Sequence, residues 1–282
     1  MKYADLHIHT TASDGILEPE NVVLWASKKN LTTIGITDHD TIAGLDRAIA
    51  KGKKTGVEVI PGIELGTYVE GHEVHILGYY IGYSQTWLLE ELESLKTWRN
   101  SRAYELIENL NAIYDIEVSV EHVKKIAGNA AISRPHIGRA LVEMGLAKDL
   151  SDAFDRYIGN ACPAYVPRRT LSPKKGIDLI KESGGIPILA HPGLIEDRNI
   201  IDQIIDLGIE GLEVFHPSHM QEEERCFLKL CQQRRLLVTG GSDFHDEFVG
   251  NSPVLGQKKL HYSHVEKLKA RAENHKNFIN KG

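Results

Sequence analysis

The run Asp5-Leu6-His7-Ile8-His9-Thr10 places a carboxylate and two imidazoles at every second position. On a strand, side chains two apart share a face, so Asp5, His7 and His9 lie together, opposite Leu6 and Ile8. Such polar groups are costly to bury without partners. A divalent metal resolves the cost, because imidazole nitrogen is a good ligand for Zn²⁺, Mn²⁺ and Fe²⁺. One His-x-His run is a weak signal, but the same chemistry recurs along the chain. Nearly every strand-like run terminates in a metal-competent residue: His39, Glu64, His75, His191, Asp243 and His245 follow His7 and His9. In barrels and open α/β sheets the carboxyl ends of strands form the active face. Six separate elements with this feature point to a multinuclear metal site.

The elements that must position these residues alternate in the first part of the chain. Strands are predicted at Tyr3–Thr10, Thr33–Thr37, Glu58–Leu65 (broken by Pro61-Gly62) and Glu73–Tyr80. Helices are predicted at Pro19–Asn30 and Gly44–Gly56. This alternation predicts βαβ units and a mainly parallel sheet. From Gln85 to Ile113 the leucines recur at helical spacing. Further helices are predicted after Ser119, at Arg134–Gly145 and at Ser151–Ile158. Alternation resumes after Pro167, with strands at Ile186–Ala190, Gly211–Phe215 and Leu236–Thr239. Helices at Ser172–Ser183, Ile200–Leu207, Gln221–Arg235 and Ser263–Asn277 complete the pattern. The expected organisation is an α/β barrel from 1–99 and 166–282, with a helical insertion at 100–165.

Composition narrows the function. The 282 residues, 41% of them hydrophobic, suit one large α/β domain with an insertion. A net charge of −6 leaves no global basic field for duplex DNA. The three cysteines (Cys162, Cys226, Cys231) form no Cys-x-x-Cys pair; they are expected to be buried free thiols and to suit the cytosol. No apolar run is long enough for a bilayer span, and Met1-Lys2-Tyr3-Ala4 runs directly into the first strand, so neither a membrane nor a signal peptide is expected. No Ser-His-Asp or Cys-His nucleophile stands out.

Together the motifs resemble the polymerase and histidinol phosphatase (PHP) family. They are Asp-Leu-His-Ile-His-Thr at 5–10, Ser-Asp-Gly at 13–15, Thr-Asp-His-Asp-Thr at 37–41, Pro-Gly-Ile-Glu at 61–64, His75, Ala-His-Pro at 190–192 and Gly-Ser-Asp-Phe-His at 241–245. The resemblance implies a distorted (β/α)7 TIM-like barrel with two to three divalent metal ions, Mn, Fe or Zn. Its catalytic members mostly hydrolyse phosphate esters. Carried over, one metal falls to His7, His9, Glu64 and Asp243. A second falls to Glu64, His75 and His191, and a third to Asp14, His39 and His245. Asp5 and Asp38 are expected to orient ligand imidazoles, the alternative for both being a strand-start or turn carboxylate. His72, His122, His261, His264 and His275 are read as solvated. Three divalent ions against three carboxylates leave the site at about +3, which suits an anionic substrate. The reaction implied is attack of a hydroxide held between two metals, its pKa lowered by them.

The substrate class rests on the insertion. Ser133-Arg134-Pro135-His136 and Ala164-Tyr165-Val166-Pro167 resemble the insertion of a PHP subgroup that acts on nucleotides and short RNA, including nucleoside 3′,5′-bisphosphates. Arg134 precedes a helix-starting proline, where backbone N–H groups favour phosphate, and with His136 it is the candidate for substrate binding. The alternative is a surface arginine beside a capping serine. His216 or His219, in Glu-Val-Phe-His-Pro-Ser-His, is the candidate to contact phosphate or protonate the leaving alkoxide; both are equally read as polar loop residues. Arg168 and Arg169 are a candidate clamp. The expected partner is a small phosphorylated molecule, a nucleotide or short RNA. Rival readings are 5′-to-3′ RNA trimming, hydrolysis of histidinol phosphate or a cyclic phosphate, carbon–nitrogen hydrolysis, and a non-catalytic metal-binding module.

Overall fold

A computed structural model describes residues 2–167 and 171–279. The chain forms two compact units, one of residues 1–89 and 171–282, the other of residues 90–170.

The first unit is built on one curved sheet. Its strands are β1 (Tyr3–Asp5), β2 (Thr33–Ile36), β3 (Glu58–Val69), β4 (His72–Tyr79), β5 (Ile186–Leu189), β6 (Gly211–Phe215) and β7 (Leu237–Gly240). A short hairpin, β8 (Phe248–Val249) and β9 (Ser252–Pro253), follows. The last strand, β10 (Leu260–His261), pairs antiparallel with the start of β1. Spatial order is β10-β1-β2-β3-β4-β5-β6-β7. The sheet then closes on itself. Leu6 N–H donates to Gly240 O (3.2 Å) and His9 N–H to Phe244 O (2.9 Å), so the continuation of β1 lies against the continuation of β7. Glycine makes this closure possible, since a Cβ on Gly241 would sit 2.3 Å from the His7 nitrogen. The result is the expected distorted TIM-like barrel.

The helices follow from cap chemistry and apolar periodicity. Helix α1 (Pro19–Lys28) starts with proline in its first turn and buries Val22, Val23 and Ala26. Helix α2 (Leu45–Thr55) stops at Gly56, whose φ of 76° is in the left-handed region. The apolar cluster of Ala4, Leu6, Ile60, Leu77, Tyr79, Ile188 and Leu237 is covered by Val265 and Leu268 of the terminal helix (Tyr262–Ile279).

Two sequence expectations need correction. The sheet is less parallel than the alternation suggests: β4 runs antiparallel to both β3 and β5. Only Glu70 and Gly71 join β3 to β4, and both have positive φ (49° and 91°). A two-residue connection of that kind makes a hairpin and is far too short for a parallel crossover. Nor do Pro61 and Gly62 break β3. The strand pairs with β2 over Glu58–Pro61 and with β4 over Gly62–Val69, so this dipeptide marks the change of partner.

The second unit is helical. It contains α3 (Thr86–Tyr114), α4 (Val120–Ala127), α5 (Arg134–Glu143) and α6 (Leu150–Ala153), followed by a π-helical turn at Phe154–Ile158. Ser119 caps α4 by accepting the His122 N–H. Leu106, Ile107, Leu110, Val123, Ile137, Leu141, Ile158 and Ala164 belong to its own buried core. Of the cysteines, Cys231 is buried, Cys162 half-buried and Cys226 exposed, so the expectation of three buried thiols fails for Cys226.

Candidate metal centre

The continuation of β1 carries His7 and His9 on one face, as the strand period requires. Both rings are fully buried. His7 Nε2 lies 3.4 Å from Glu64 Oε2 and 3.2 Å from Asp243 Oδ1. His9 Nε2 lies 3.3 Å and 3.1 Å from the same two oxygens. These four atoms are buried and, among the described residues, make no hydrogen bond. Four converging buried polar atoms with no hydrogen bond among them are costly unless a cation sits among them. Their spacing fits one: a tetrahedral site with bonds of ~2.0–2.1 Å has ligand–ligand edges of about 3.3–3.4 Å.

Two more groups adjoin it. His9, Asp14, His39 and His245 bring ligand atoms within 4.8 Å of one another, as do His39, Glu64 and His75. Glu64 is the hub. Its Oε2 is 2.9 Å from His39 Nδ1, and its Oε1 is 2.9 Å from His75 Nδ1 and 3.1 Å from His191 Nε2. His245 Nε2 is 3.4 Å from Asp14 Oδ1. The structure therefore draws all nine residues His7, His9, Asp14, His39, Glu64, His75, His191, Asp243 and His245 into one cluster. The grouping differs in detail from the sequence expectation. His9 also faces the Asp14 group, and His39 also faces Glu64. His75 is not at a strand's carboxyl end. It comes from the first half of β4, and it reaches the cluster because that strand runs backward.

Electrostatics follow from burial and close packing. Burial alone would push the Glu64, Asp14 and Asp243 carboxyls up, but the imidazoles around them hold all three well below the usual carboxylate range. Burial opposes charge on His75 and His245, yet Glu64 beside the first and Asp14 beside the second push each up to about 10. For His39 burial prevails and its value falls to about 4. Two residues here adopt left-handed backbone, His191 (φ 26°) and Asp243 (φ 50°). Such strain persists only where surroundings over-determine it.

The layer behind the cluster differs most from the sequence reading. Asp5 does not orient an imidazole. It accepts hydrogen bonds from Ser242 N–H (2.8 Å), Ser242 Oγ (2.6 Å) and Gly256 N–H (2.7 Å), fixing the segment that delivers Asp243. Asp38 accepts from Thr10 N–H (2.7 Å), Thr10 Oγ1 (2.8 Å) and Ser13 Oγ (2.6 Å), fixing the turn that delivers Asp14. The fully buried carboxylate that touches a ligand ring from this layer is Glu213, which sequence reasoning missed. It is fully buried on β6, 3.0 Å and 3.1 Å from His7 Nδ1, and it accepts the His191 N–H at 2.9 Å. An acidic residue in the buried strand Gly211–Phe215, three before His216, was the available signal. Glu73 lies 3.3 Å from His75 Nε2.

The two proton-transfer candidates separate. His219 has both ring nitrogens committed. Nδ1 donates to Val214 O (2.9 Å), and Nε2 accepts the Gly193 N–H (3.0 Å). It ties two loops together, and the acid role expected of it is not supported. His216 Nδ1 lies 2.7 Å from Ser218 Oγ and 3.2 Å from the Ser218 nitrogen, which leaves Nε2, 3.4 Å from Asp243 Oδ2, facing the cluster. Arg134 and His136 lie in the helical unit. Arg134 reaches Asn160 Oδ1 (2.6 Å) and faces the rings of Phe154 and Tyr165. His136 Nδ1 accepts the Ser133 N–H (3.1 Å), a capping-box contact. Its first documented role is therefore helix capping. Arg168 and Arg169 lie outside the described residues. His122 and His275 pair with Glu143 and Glu210.

Residues 5–161 match the model of the PHP domain. The chain is 34% identical to the 5′-3′ exoribonuclease Rnm of Escherichia coli over 86% of its own length and 84% of that protein. It is 31% identical to the 3′,5′-nucleoside bisphosphate phosphatase of Chromobacterium violaceum, covering 90% and 91%. A solved chain described as a metal-dependent phosphoesterase from Bifidobacterium adolescentis superposes with a TM-score of 0.86 at 30% identity, covering 95% and 96%. Closed barrel, convergent ligand cluster and relatives agree: the chain belongs to the PHP domain family and is a metal-dependent phosphoric ester hydrolase.

Proposed function

We propose that this enzyme removes a phosphate monoester group from a nucleotide, a nucleoside 3′,5′-bisphosphate being the representative substrate. The observation that carries the metal chemistry is the set of four buried, unbonded ligand atoms of His7, His9, Glu64 and Asp243. The relative from Chromobacterium violaceum, named for this activity, supports the substrate class.

In this reading two to three divalent ions, Mn, Fe or Zn, are held by the nine clustered residues. When bound, they supply Lewis-acid charge that activates water and neutralises phosphoryl oxygens. His7, His9, Glu64 and Asp243 hold one ion; Glu64 with His39, His75 and His191 holds a second; Asp14, His245, His39 and His9 face a third. Five carboxylates now lie in or against the cluster, counting Glu213 and Glu73, so with three ions bound the site carries about +1 and still attracts phosphate. His216, as an imidazolium whose Nδ1–H is directed at Ser218 Oγ (2.7 Å), gives the Nε2 proton beside Asp243 to the leaving alkoxide and is left neutral. Arg134 binds the second phosphate, its planar guanidinium suited to bidentate contact. Asn160 and the two aromatic faces restrain that side chain.

The test is phosphate release from adenosine 3′,5′-bisphosphate with Mn²⁺ supplied, run beside a 5′-phosphorylated RNA oligomer and a cyclic phosphate. Rapid release from the bisphosphate that collapses in Arg134→Ala is the expected result. Preference for the oligomer would instead establish RNA trimming, the activity for which the Escherichia coli relative is named. Activity that survives chelation would overturn the metal mechanism.

A further inference from the structure

Glu213 touches both a ligand ring and the backbone of a second ligand residue. It sits on β6, next to β5 and one strand removed from the continuation of β1 round the closed sheet. One edge of its carboxylate faces His7 Nδ1 from both oxygens (3.0 Å and 3.1 Å). Its Oε2 also accepts the His191 N–H at 2.9 Å. His191 needs such an anchor, because its backbone (φ 26°, ψ 58°) is one that L-residues rarely adopt. Among the described residues His9 has no equivalent; its Nδ1 lies 3.4 Å from Ser13 Oγ and 3.9 Å from Asp14 Oδ1.

We propose that Glu213 is a positioning residue for metal binding, fixing the His7 ring with its proton on Nδ1 and, through the same carboxylate, the turn that presents His191. A carboxylate accepts at both oxygens, so it demands an N–H from Nδ1. That leaves the Nε2 lone pair directed at Glu64 and Asp243. Glutamine at this position has the same shape but one oxygen. Whichever way its amide turns, an NH₂ group comes to stand where a carboxylate oxygen now meets His7 Nδ1 or the His191 N–H. It either opposes a donor or drives the His7 proton onto Nε2, where it blocks the metal.

The inference rests on the metal reading above, and its test needs no substrate. Metal-stripped wild type and Glu213→Gln are titrated with Zn²⁺ and with Mn²⁺ against a chromophoric chelator, and their melting temperatures are compared while stripped. The expected result is affinity for the tightest ion lowered about 10–100-fold, with the stripped proteins melting at similar temperatures. As a check that does not depend on the variant's folding, histidine ¹⁵N spectra of the zinc-loaded wild type should show His7 protonated at Nδ1 and slow to exchange. Equal affinity in wild type and variant, or an unprotonated His7 Nδ1, would overturn the role of Glu213. A wild type that binds neither ion would instead overturn the metal reading itself.

Discussion

The two histidines that follow β6 show how little residue type says about role. His216 and His219 are three apart and equally buried, yet only His216 has a nitrogen placed to give a proton toward the cluster. His219 bridges Gly193 and Val214, and burial lowers its pKa from the ordinary 6.5. The linkage sign follows. Below pH 6.5 the unfolded chain takes up a proton that the native imidazole resists, so this stabilisation is complete above 6.5 and is lost as pH falls. His219→Ala should cost about 1–3 kcal/mol by orphaning a buried donor and acceptor. It should also flatten the decline in stability between pH 7 and 5 while leaving kcat at neutral pH largely in place; thermal melts and rate measurements check both. His216→Gln should do the reverse, cutting kcat by about 10²–10⁴-fold with little change in melting temperature. An unchanged kcat in that variant would remove His216 from the proton path.

At the scale of elements, the centre depends on how the continuation of β1 meets that of β7. Gly241 permits the approach, and Asp5 ties the Ser242 backbone and hydroxyl to β1. Gly241→Ala should destabilise the fold by about 1–3 kcal/mol, because the new methyl meets His7 backbone and Cβ, which have no room to yield. Metal affinity should fall with it, since His7 is the group displaced. Chemical denaturation and metal titration of the same variant test the pairing; loss of stability with unchanged metal binding would uncouple closure from the centre. The hairpin of β3 and β4 matters for a different reason. Because β4 runs backward, a residue near its start meets the middle of β3, which is how Gly66 pairs with His75 and how His75 reaches Glu64.

The molecule as a whole is acidic, with a net charge of −6, yet it gathers divalent cations and a phosphate ester at one buried cluster. Metals that bind the native state alone stabilise it by mass action, about 4 kcal/mol at a thousandfold excess over Kd. The melting temperature should therefore climb with Mn²⁺ or Zn²⁺ and drop on chelation, by roughly 2–4 °C per kcal/mol for a domain near this size. A melting temperature indifferent to metal would contradict the cluster's reading as a metal centre. Among the described residues no helix is long and apolar enough to cross a membrane.

Much of this was legible in one dimension. The alternation of two on the first strand, the glycine stop of α2, the proline start of α1 and the metal-competent residues at successive strand ends are local features. Strand period, φ restriction and ligand chemistry act on neighbours in sequence, so they can be read there. The α/β class and most of the clustered residues follow from them, while the distorted barrel and the full set of nine, Asp14 above all, came from the resemblance to the PHP family. What the sequence did not decide is how distant groups divide the work. Asp5 and Asp38 sit where a helper to an imidazole was expected, but turns far along the chain claim their oxygens. Glu213, outside every motif, takes that place because β6 lies next to β5 and reaches across to His7. His219 is taken up by the Gly193 N–H and the Val214 carbonyl, partners that only tertiary packing brings to it, whereas the Ser133 contact of His136 is a local capping pattern. Hydrogen-bond partners across a closed barrel are chosen by three-dimensional proximity, and only the tertiary structure supplies it.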